Sequence, residues 1–289
     1  MLSEAADERS EVRAQPKHPY RSMDASFLAP TDAHLLHSPR ENHAGIKGIP
    51  KQQKRRLPQP NTMPAHSSPP PILFDLDGTL IDTVYQHVIA WSSALSEYGV
   101  QIPSWKIHRR IGMSGKSLAK QLLREPEVRN RRINIDKVES RHDAIFLRSS
   151  RDPRVLPGAQ ELLNHLTTNK IPWAIATSGN RKQTKHLLSN LRLTKNAVIV
   201  TGDDVAQAKP SPDIFLTAAE KLDTPLEDCV VVGDAIWDMI AAGRRRALSI
   251  GLLSGGYSKP ELEESGAFRV YADPADMLLH IEDLGIPGK

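Results

Sequence analysis

Cysteine is almost absent from the 289 residues: Cys229 is the only one. No disulfide can form within the chain, and nothing in its thiol content points to an oxidising compartment. The residue lies in the apolar run CVVVGD, the setting of a buried structural thiol rather than a nucleophile. Long apolar runs are missing too. No stretch of about 18 apolar residues occurs, and no membrane span is expected. Aromatic residues make up 5% of the chain, which leaves little surface for stacking nucleic-acid bases. The opening stretch MLSEAADERSEVR lacks the basic and then apolar order of a secretory signal. These absences set the expectation of a cytoplasmic protein with neither membrane nor nucleic acid as a partner.

The net charge of +4 is unevenly placed: residues 1–70 hold 10 Lys/Arg against 7 Asp/Glu, and the remainder is nearly neutral. No basic stripe is expected on the folded part. The same first 70 residues carry 10 of the 22 prolines and 5 of the 11 histidines, with Tyr20 and Phe27 their only aromatic residues. No period of helix or strand persists there, and residues 1–70 read as a disordered extension. Its basic stretch KQQKRRLP reads as a solvated linker.

After Pro71 the pattern changes. Apolar runs at 72–75 (ILFD), 173–177, 197–201, 229–234 and 248–253 resemble buried parallel strands. Helix-like segments at 158–169, 181–191, 211–222 and 235–245 separate them. Such alternation predicts an α/β fold: a Rossmann-like parallel sheet with helices on both faces, its ligands bound beyond the carboxyl ends of the strands. Residues 85–150 break the alternation. Val84, Val88, Trp91, Leu95 and Tyr98 recur at helical spacing, and two further segments look helical, so this stretch is a small all-helical domain inserted after the first strand. The expected division is 71–84 with 151–289 for the core and 85–150 for the helical cap.

Every strand of the core ends on polar residues: Asp75 and Asp77, then Thr177 and Ser178, then Lys209 in AKPSPD, then Asp234 followed by Asp238. Parallel strands bring these ends to one edge of the sheet. Asp75 and Asp77, two apart at a strand terminus, can lean the same way, and Gly78 permits a sharp turn behind them. Carboxylates gathered at one point repel each other unless a cation sits among them. Asp75 and Asp234 with a main-chain carbonyl form an oxygen-only set that suits Mg²⁺, and Asp77 is counted with them as a metal residue. Asp82, just before the first cap helix, reads as its N-cap.

DLDGTLIDT, AIATS, AKPSPD and VVGDAIWD occur in order across residues 71 to about 255, and together they resemble the four motifs of the haloacid dehalogenase (HAD) superfamily. The insert resembles that superfamily's α-helical C1 cap. The resemblance implies that Asp75 is a nucleophile forming an aspartyl-phosphate and that Asp77 is a general acid and base. Thr177, Ser178 and Lys209 would hold the phosphoryl oxygens. Asp234 would bind Mg²⁺, and Asp238 would hold a metal water or orient Lys209.

The acid at Asp77 separates this chain from the superfamily's dehalogenases and phosphonate-cleaving members, which lack it. The pattern is similar to phosphoglycolate phosphatase and to the β-phosphoglucomutase-like proteins. In the mutases a cap-loop arginine grips a second phosphate; IGMSGKSL places Gly115 where that arginine would align, although Lys116 or Arg110 could substitute. The expectation is a Mg²⁺-dependent phosphatase, monomer or homodimer, acting on a small phosphorylated metabolite of the phosphoglycolate or sugar-phosphate kind. A phosphomutase is the alternative, and a non-catalytic HAD-like binding module is the alternative of another class. Gly112, Lys116 and Arg110 are the cap residues expected to reach substrate, on a loop that Gly112 and Gly115 make mobile.

Overall fold

The computed structural model describes residues 69–126, 128 and 132–288; the extension expected over 1–70 lies, except for its last two residues, outside them. In chain order the elements are β1 (Ile72–Phe74), β2 (Ile81–Asp82), α1 (Val84–Glu97), α2 (Ser104–His108), α3 (Gly115–Leu122), α4 (Ile135–Ser149), β3 (Arg154–Val155), α5 (Ala159–Thr168), β4 (Trp173–Ala176) and α6 (Arg181–Leu187). They continue with β5 (Val198–Val200), α7 (Asp213–Glu220), β6 (Val230–Gly233), α8 (Ile236–Gly243), β7 (Leu248–Leu252), α9 (Lys259–Glu264), β8 (Arg269–Tyr271) and α10 (Pro274–Leu279).

Six of the strands form one parallel sheet in the order β5-β4-β1-β6-β7-β8. The chain starts in the middle, winds outward through β4 to β5, then crosses β1 to build β6, β7 and β8 on the other side. β1 therefore sits at the switch of winding direction, where open α/β sheets bind ligands. Its three residues are fully buried, and they alternate: Leu73 packs into the cluster that holds Phe215 of α7 and Ala242 of α8, while Ile72 and Phe74 face the larger cluster on the other side. Apolar side chains on both faces are what a central parallel strand requires. The register aligns Phe74 with Ile175 of β4 and with Val232 of β6, so the residues just beyond all three strands emerge side by side.

The helical insert forms as its spacing predicts. Val84, His87, Val88, Trp91 and Leu95 are the buried stripe of α1, and Val138, His142, Ile145 and Phe146 that of α4. Tyr98, expected at the end of the α1 stripe, instead follows the helix and is 37% exposed.

Two strand features went unforeseen. The edge strand β8 is short and begins on exposed Arg269, so it carries too little apolar pattern to read. β2 and β3 pair antiparallel, Ile81 with Val155 and Asp82 with Arg154, and this two-residue ribbon is where the chain leaves the core for the cap and returns. The pairing corrects the expected role of Asp82. It belongs to β2, while Thr83 occupies the N-cap position of α1 and makes no side-chain cap hydrogen bond.

Candidate active site

Asp75 follows β1 and is 2% exposed; Asp234 follows β6 and is 3% exposed. Between them and Asp238 of α8 stands the Lys209 ammonium, fully buried, 2.5 Å from Asp75 Oδ1 and 2.8 Å from Asp238 Oδ1. Asp238 Oδ2 also accepts the Ala235 N–H at 3.1 Å, so this one side chain both closes the first turn of α8 and holds the lysine. Burial by itself would lower the Lys209 pKa, but the Asp238 and Asp75 carboxylates more than reverse this and hold it raised. Burial pushes Asp75 up to about 7 against the pull of Lys209, with Asp238 and Asp77 adding to the rise. Asp234 is raised well above the usual carboxylate range by burial and then by Asp238 and Asp75, while Thr79, whose hydroxyl donates to Asp234 Oδ1 at 3.0 Å, opposes the shift.

Asp77 lives in a different environment. Its Oδ1 accepts the Thr83 hydroxyl at 2.5 Å and lies 3.1 Å from His87 Nε2; its Oδ2 lies 3.4 Å from the Thr177 hydroxyl. Burial works to raise its pKa, but His87 and Thr83 outweigh it and the group is held below the usual value. His87 Nδ1 is 3.0 Å from His142 Nε2 on α4, whose Nδ1 is 2.9 Å from Asp143 Oδ1. These three gaps between two carboxylates need three protons, one more than two neutral imidazoles supply. Phe146 and Trp91 stack on the two rings and fix their planes. Burial holds His142 down to about 4, against the pull of Asp143.

The metal expectation passes a test on the donors themselves. Oxygens of Asp75, Asp234 and Asp238 lie within 4.8 Å of one another, and all three side chains are buried. Like charges that close repel by about 3 kcal/mol per pair at an effective dielectric of about 20, and Lys209 is a single cation among three acids. An all-oxygen, acid-rich set short of positive charge fits Mg²⁺. Asp238 uses both of its oxygens, Oδ1 on Lys209 and Oδ2 on the Ala235 N–H, whereas Asp75 and Asp234 each spend Oδ1 on Lys209 and Thr79 respectively, so Asp75 and Asp234 are the carboxylates that would hold the ion. The Asp77 carboxylate is turned to Thr83, His87 and Thr177 and stands outside the group, so only its main chain is left for the metal role expected of it. Space is tight: a Cβ at Gly78, which has φ +80°, or at Gly255 would collide with Asp234.

Thr177 and Ser178 sit beyond β4 on the same edge. The Thr177 hydroxyl accepts the Gly179 N–H at 3.0 Å, and the Ser178 hydroxyl donates to the Gly112 carbonyl at 3.0 Å, tying core to cap. Trp237 Nε1 and the Tyr257 hydroxyl both donate to the Arg109 carbonyl, at 3.2 and 3.0 Å. Beneath this seam lies a cavity of 320 Å³, reaching from Asp75 and Asp77 to the cap. Gly112 and Lys116 line it. Arg110 does not: its guanidinium pairs with Glu125 and donates to the Lys106 carbonyl.

Sequence reasoning passed over Thr79, Thr83, His87, His142, Asp143 and Glu139. For the two threonines a signal existed, since both sit inside the DLDGTLIDT run. For His87 it was weaker: four residues past Thr83, it falls within the apolar stripe of α1.

Fold and site together define an α/β enzyme whose chemistry is gathered at the carboxyl edge of a parallel sheet, under a helical cap. The chain belongs to the haloacid dehalogenase-like hydrolase family, whose model matches residues 72–251. Among curated proteins it is 33% identical over 175 residues to hexitol phosphatase A of Escherichia coli, covering 56% of this chain and 73% of that one. It is 30% identical over 216 residues to β-phosphoglucomutase of Bacillus subtilis, covering 73% and 94%. The match to the bifunctional riboflavin kinase/FMN phosphatase of Arabidopsis thaliana is 31% identical over 172 residues, covering 59% of this chain and 45% of that longer one. Among solved structures, a hydrolase from Pseudomonas syringae is similar with TM-score 0.71 and 45% identity, over 75% of this chain and 99% of that one.

Proposed function

We propose that the protein is a Mg²⁺-dependent phosphatase that hydrolyses a small phosphorylated metabolite through an aspartyl-phosphate on Asp75. The observation that carries this reading is the division of labour between two carboxylates two residues apart. Asp75 is locked against Lys209 in a dense charge cluster, and Asp77, which also lines the cavity, is held apart by Thr83 and His87. The two settings suit separate roles. Burial among acids raises Asp75, which Mg²⁺ would bring back toward the ionised nucleophile. Asp77, held low against burial by His87 and Thr83, must take up a proton as substrate binds before it can serve as the acid.

In the first step an Asp75 oxygen attacks phosphorus, the bond from phosphorus to the leaving oxygen breaks, and that oxygen takes a proton from Asp77. In the second, the Asp77 carboxylate takes a proton from water as the water oxygen attacks phosphorus, and Asp75 leaves as carboxylate. Phosphate is released and Asp77 is protonated again, so the cycle balances. Lys209, the Thr177 hydroxyl and the main chain at Ser178 hold the phosphoryl oxygens as charge develops on them. Asp238 keeps the lysine in place. Mg²⁺, held by Asp75 and Asp234, would supply positive charge to the phosphoryl group and favour the ionised nucleophile.

The phosphomutase alternative draws support from the B. subtilis relative. Against it stands position 115, where a glycine lies against the Glu139 carboxylate instead of a cation that could grip a second phosphate. The same reading takes the protein to be cytoplasmic, a monomer or homodimer without membrane or nucleic-acid partners. Among the described residues no helix is long and apolar enough to cross a membrane, and Cys229 is a buried free thiol.

The test is hydrolysis of p-nitrophenyl phosphate with Mg²⁺, with and without EDTA, by the wild type and by Asp75→Asn. Metal-dependent turnover lost in the variant is the expected result. Turnover that survives both EDTA and the substitution would overturn the mechanism.

A further inference from the structure

Resting on that reading, we propose that the chamber for the leaving group is built for an uncharged, hydroxyl-rich organic group, and that it rejects one carrying a second anion such as a carboxylate or another phosphate.

Away from the catalytic edge, the acids lining the cavity are Glu139 and Asp143 on α4 and Asp203 beyond β5, against Lys116 as the one Lys or Arg among the described lining residues. Lys116 is largely solvated and leans toward Asp136, 3.4 Å away. The nearby arginines of the cap loop are turned elsewhere: Arg109 pairs with Glu261 and Arg110 with Glu125. Among the described residues, a second anion entering this chamber would meet carboxylates and find no guanidinium.

The positions that could have served an anion are taken by the protein's own acids. The N-terminus of α3 faces the chamber, but Glu139 fills the space beside it: a Cβ at Gly115 would lie 2.5 Å from Glu139 Oε1, and the carboxylate accepts a hydrogen bond from the Lys116 main chain. Burial raises the Glu139 pKa, with Asp143 adding to it and Lys116 opposing, as expected for a carboxylate in a chamber already short of positive charge. The amide donors are committed as well. Asn180 Nδ2 and Gln183 Nε2 each donate to Asp143 at 2.8 Å, and the Arg181 N–H donates to Asp203 at 2.8 Å.

What remains on offer to a ligand is acceptor capacity, chiefly the lone pairs of the Glu139 carboxylate, since Asp143 is already engaged by Asn180, Gln183 and His142 and the Ser114 hydroxyl by Ser117. Hydroxyl groups are donors and suit this surface; a carboxylate or phosphate brings only acceptors and negative charge. A cavity of 320 Å³ is at the small end for ligand sites, in keeping with a short polyol or a single sugar ring.

A matched pair of substrates isolates the charge. Glucitol 6-phosphate and 6-phosphogluconate differ at the far carbon, one ending in CH₂OH and the other in a carboxylate. The expected result is a kcat/KM about 100-fold or more in favour of glucitol 6-phosphate. Glu139→Lys should raise kcat/KM for 6-phosphogluconate about tenfold or more, chiefly through KM, and Lys116→Gln should widen the gap. Equal or better hydrolysis of 6-phosphogluconate by the wild type, or a ratio that neither variant moves, would overturn the inference. Binding of the two compounds to Asp75→Asn, followed by isothermal titration calorimetry, separates this inference from the phosphatase reading. Preference for the neutral compound there supports the chamber's selectivity even if the wild type turns over no ester, and equal affinity refutes it.

Discussion

The sheet edge and the cap both present acids to the same cavity, and they do so under opposite conditions. At the edge, Asp75, Asp234 and Asp238 are buried and partly offset from within by Lys209. In the cap, Glu139 and Asp143 are partly exposed, and Asp143 is satisfied by amides and an imidazole rather than by a cation. The first arrangement is dense, as suits the phosphoryl and Mg²⁺ roles proposed for it. The second leaves acceptor capacity facing the ligand. The proposed chemistry and selectivity thus occupy separate elements, joined by the contacts of Gly112 and Arg109 to the core and by His87, 3.1 Å from Asp77.

The largest break should come at the edge. Lys209→Met leaves Asp75 and Asp238 crowded without their shared cation, and turnover of p-nitrophenyl phosphate should fall by about 100-fold or more. Removing one partner of a buried ion pair costs about 3–5 kcal/mol, so the melting temperature should fall as well. A variant with near-normal turnover would show that the lysine is structural. A smaller break lies at the join. His87→Ala removes the N–H that faces Asp77, and kcat should drop by about 10- to 100-fold with little change in KM. His87→Gln should restore part of the loss, because its amide can donate to the same carboxylate; a histidine that only fills space would not discriminate between the two. The smallest effect belongs to the cap loop. Gly112 has φ +96°, and a Cβ there would lie 3.1 Å from that of Ala235. Gly112→Val should raise KM severalfold through a strain of about 1–3 kcal/mol, with the edge site intact. Unchanged kinetics would remove that loop from substrate binding.

The edge was legible in the sequence because strand logic is local. An apolar run ending on a polar residue marks a strand and its functional end at once, and the β1, β4 and β6 ends could be aligned before any coordinates. The join and the chamber were not legible, because helix spacing tells which residues are buried and not what they meet. His87 and His142 lie 55 residues apart, on two helices that form their stripes independently. Glu139 reads as a surface acid of an amphipathic helix until α3 is packed against it. Arg110 reads as a substrate contact until Glu125 is seen beside it. The ribbon of β2 and β3 consists of two residues per strand, too short for any period to show.

The central claim is that Asp75 becomes covalently phosphorylated, and trapping that intermediate tests it most directly. Wild-type protein turning over p-nitrophenyl phosphate with Mg²⁺ would be acid-quenched on the millisecond scale, digested and analysed by mass spectrometry, with Asp77→Asn included to slow the hydrolytic step while this leaving group, which needs no proton, still departs. The account predicts a phosphoryl adduct on Asp75 in the peptide containing ILFDLDGTL, enriched in Asp77→Asn and absent from Asp75→Asn. Turnover with no adduct on Asp75 under any of these conditions, or an adduct on another residue, would contradict it.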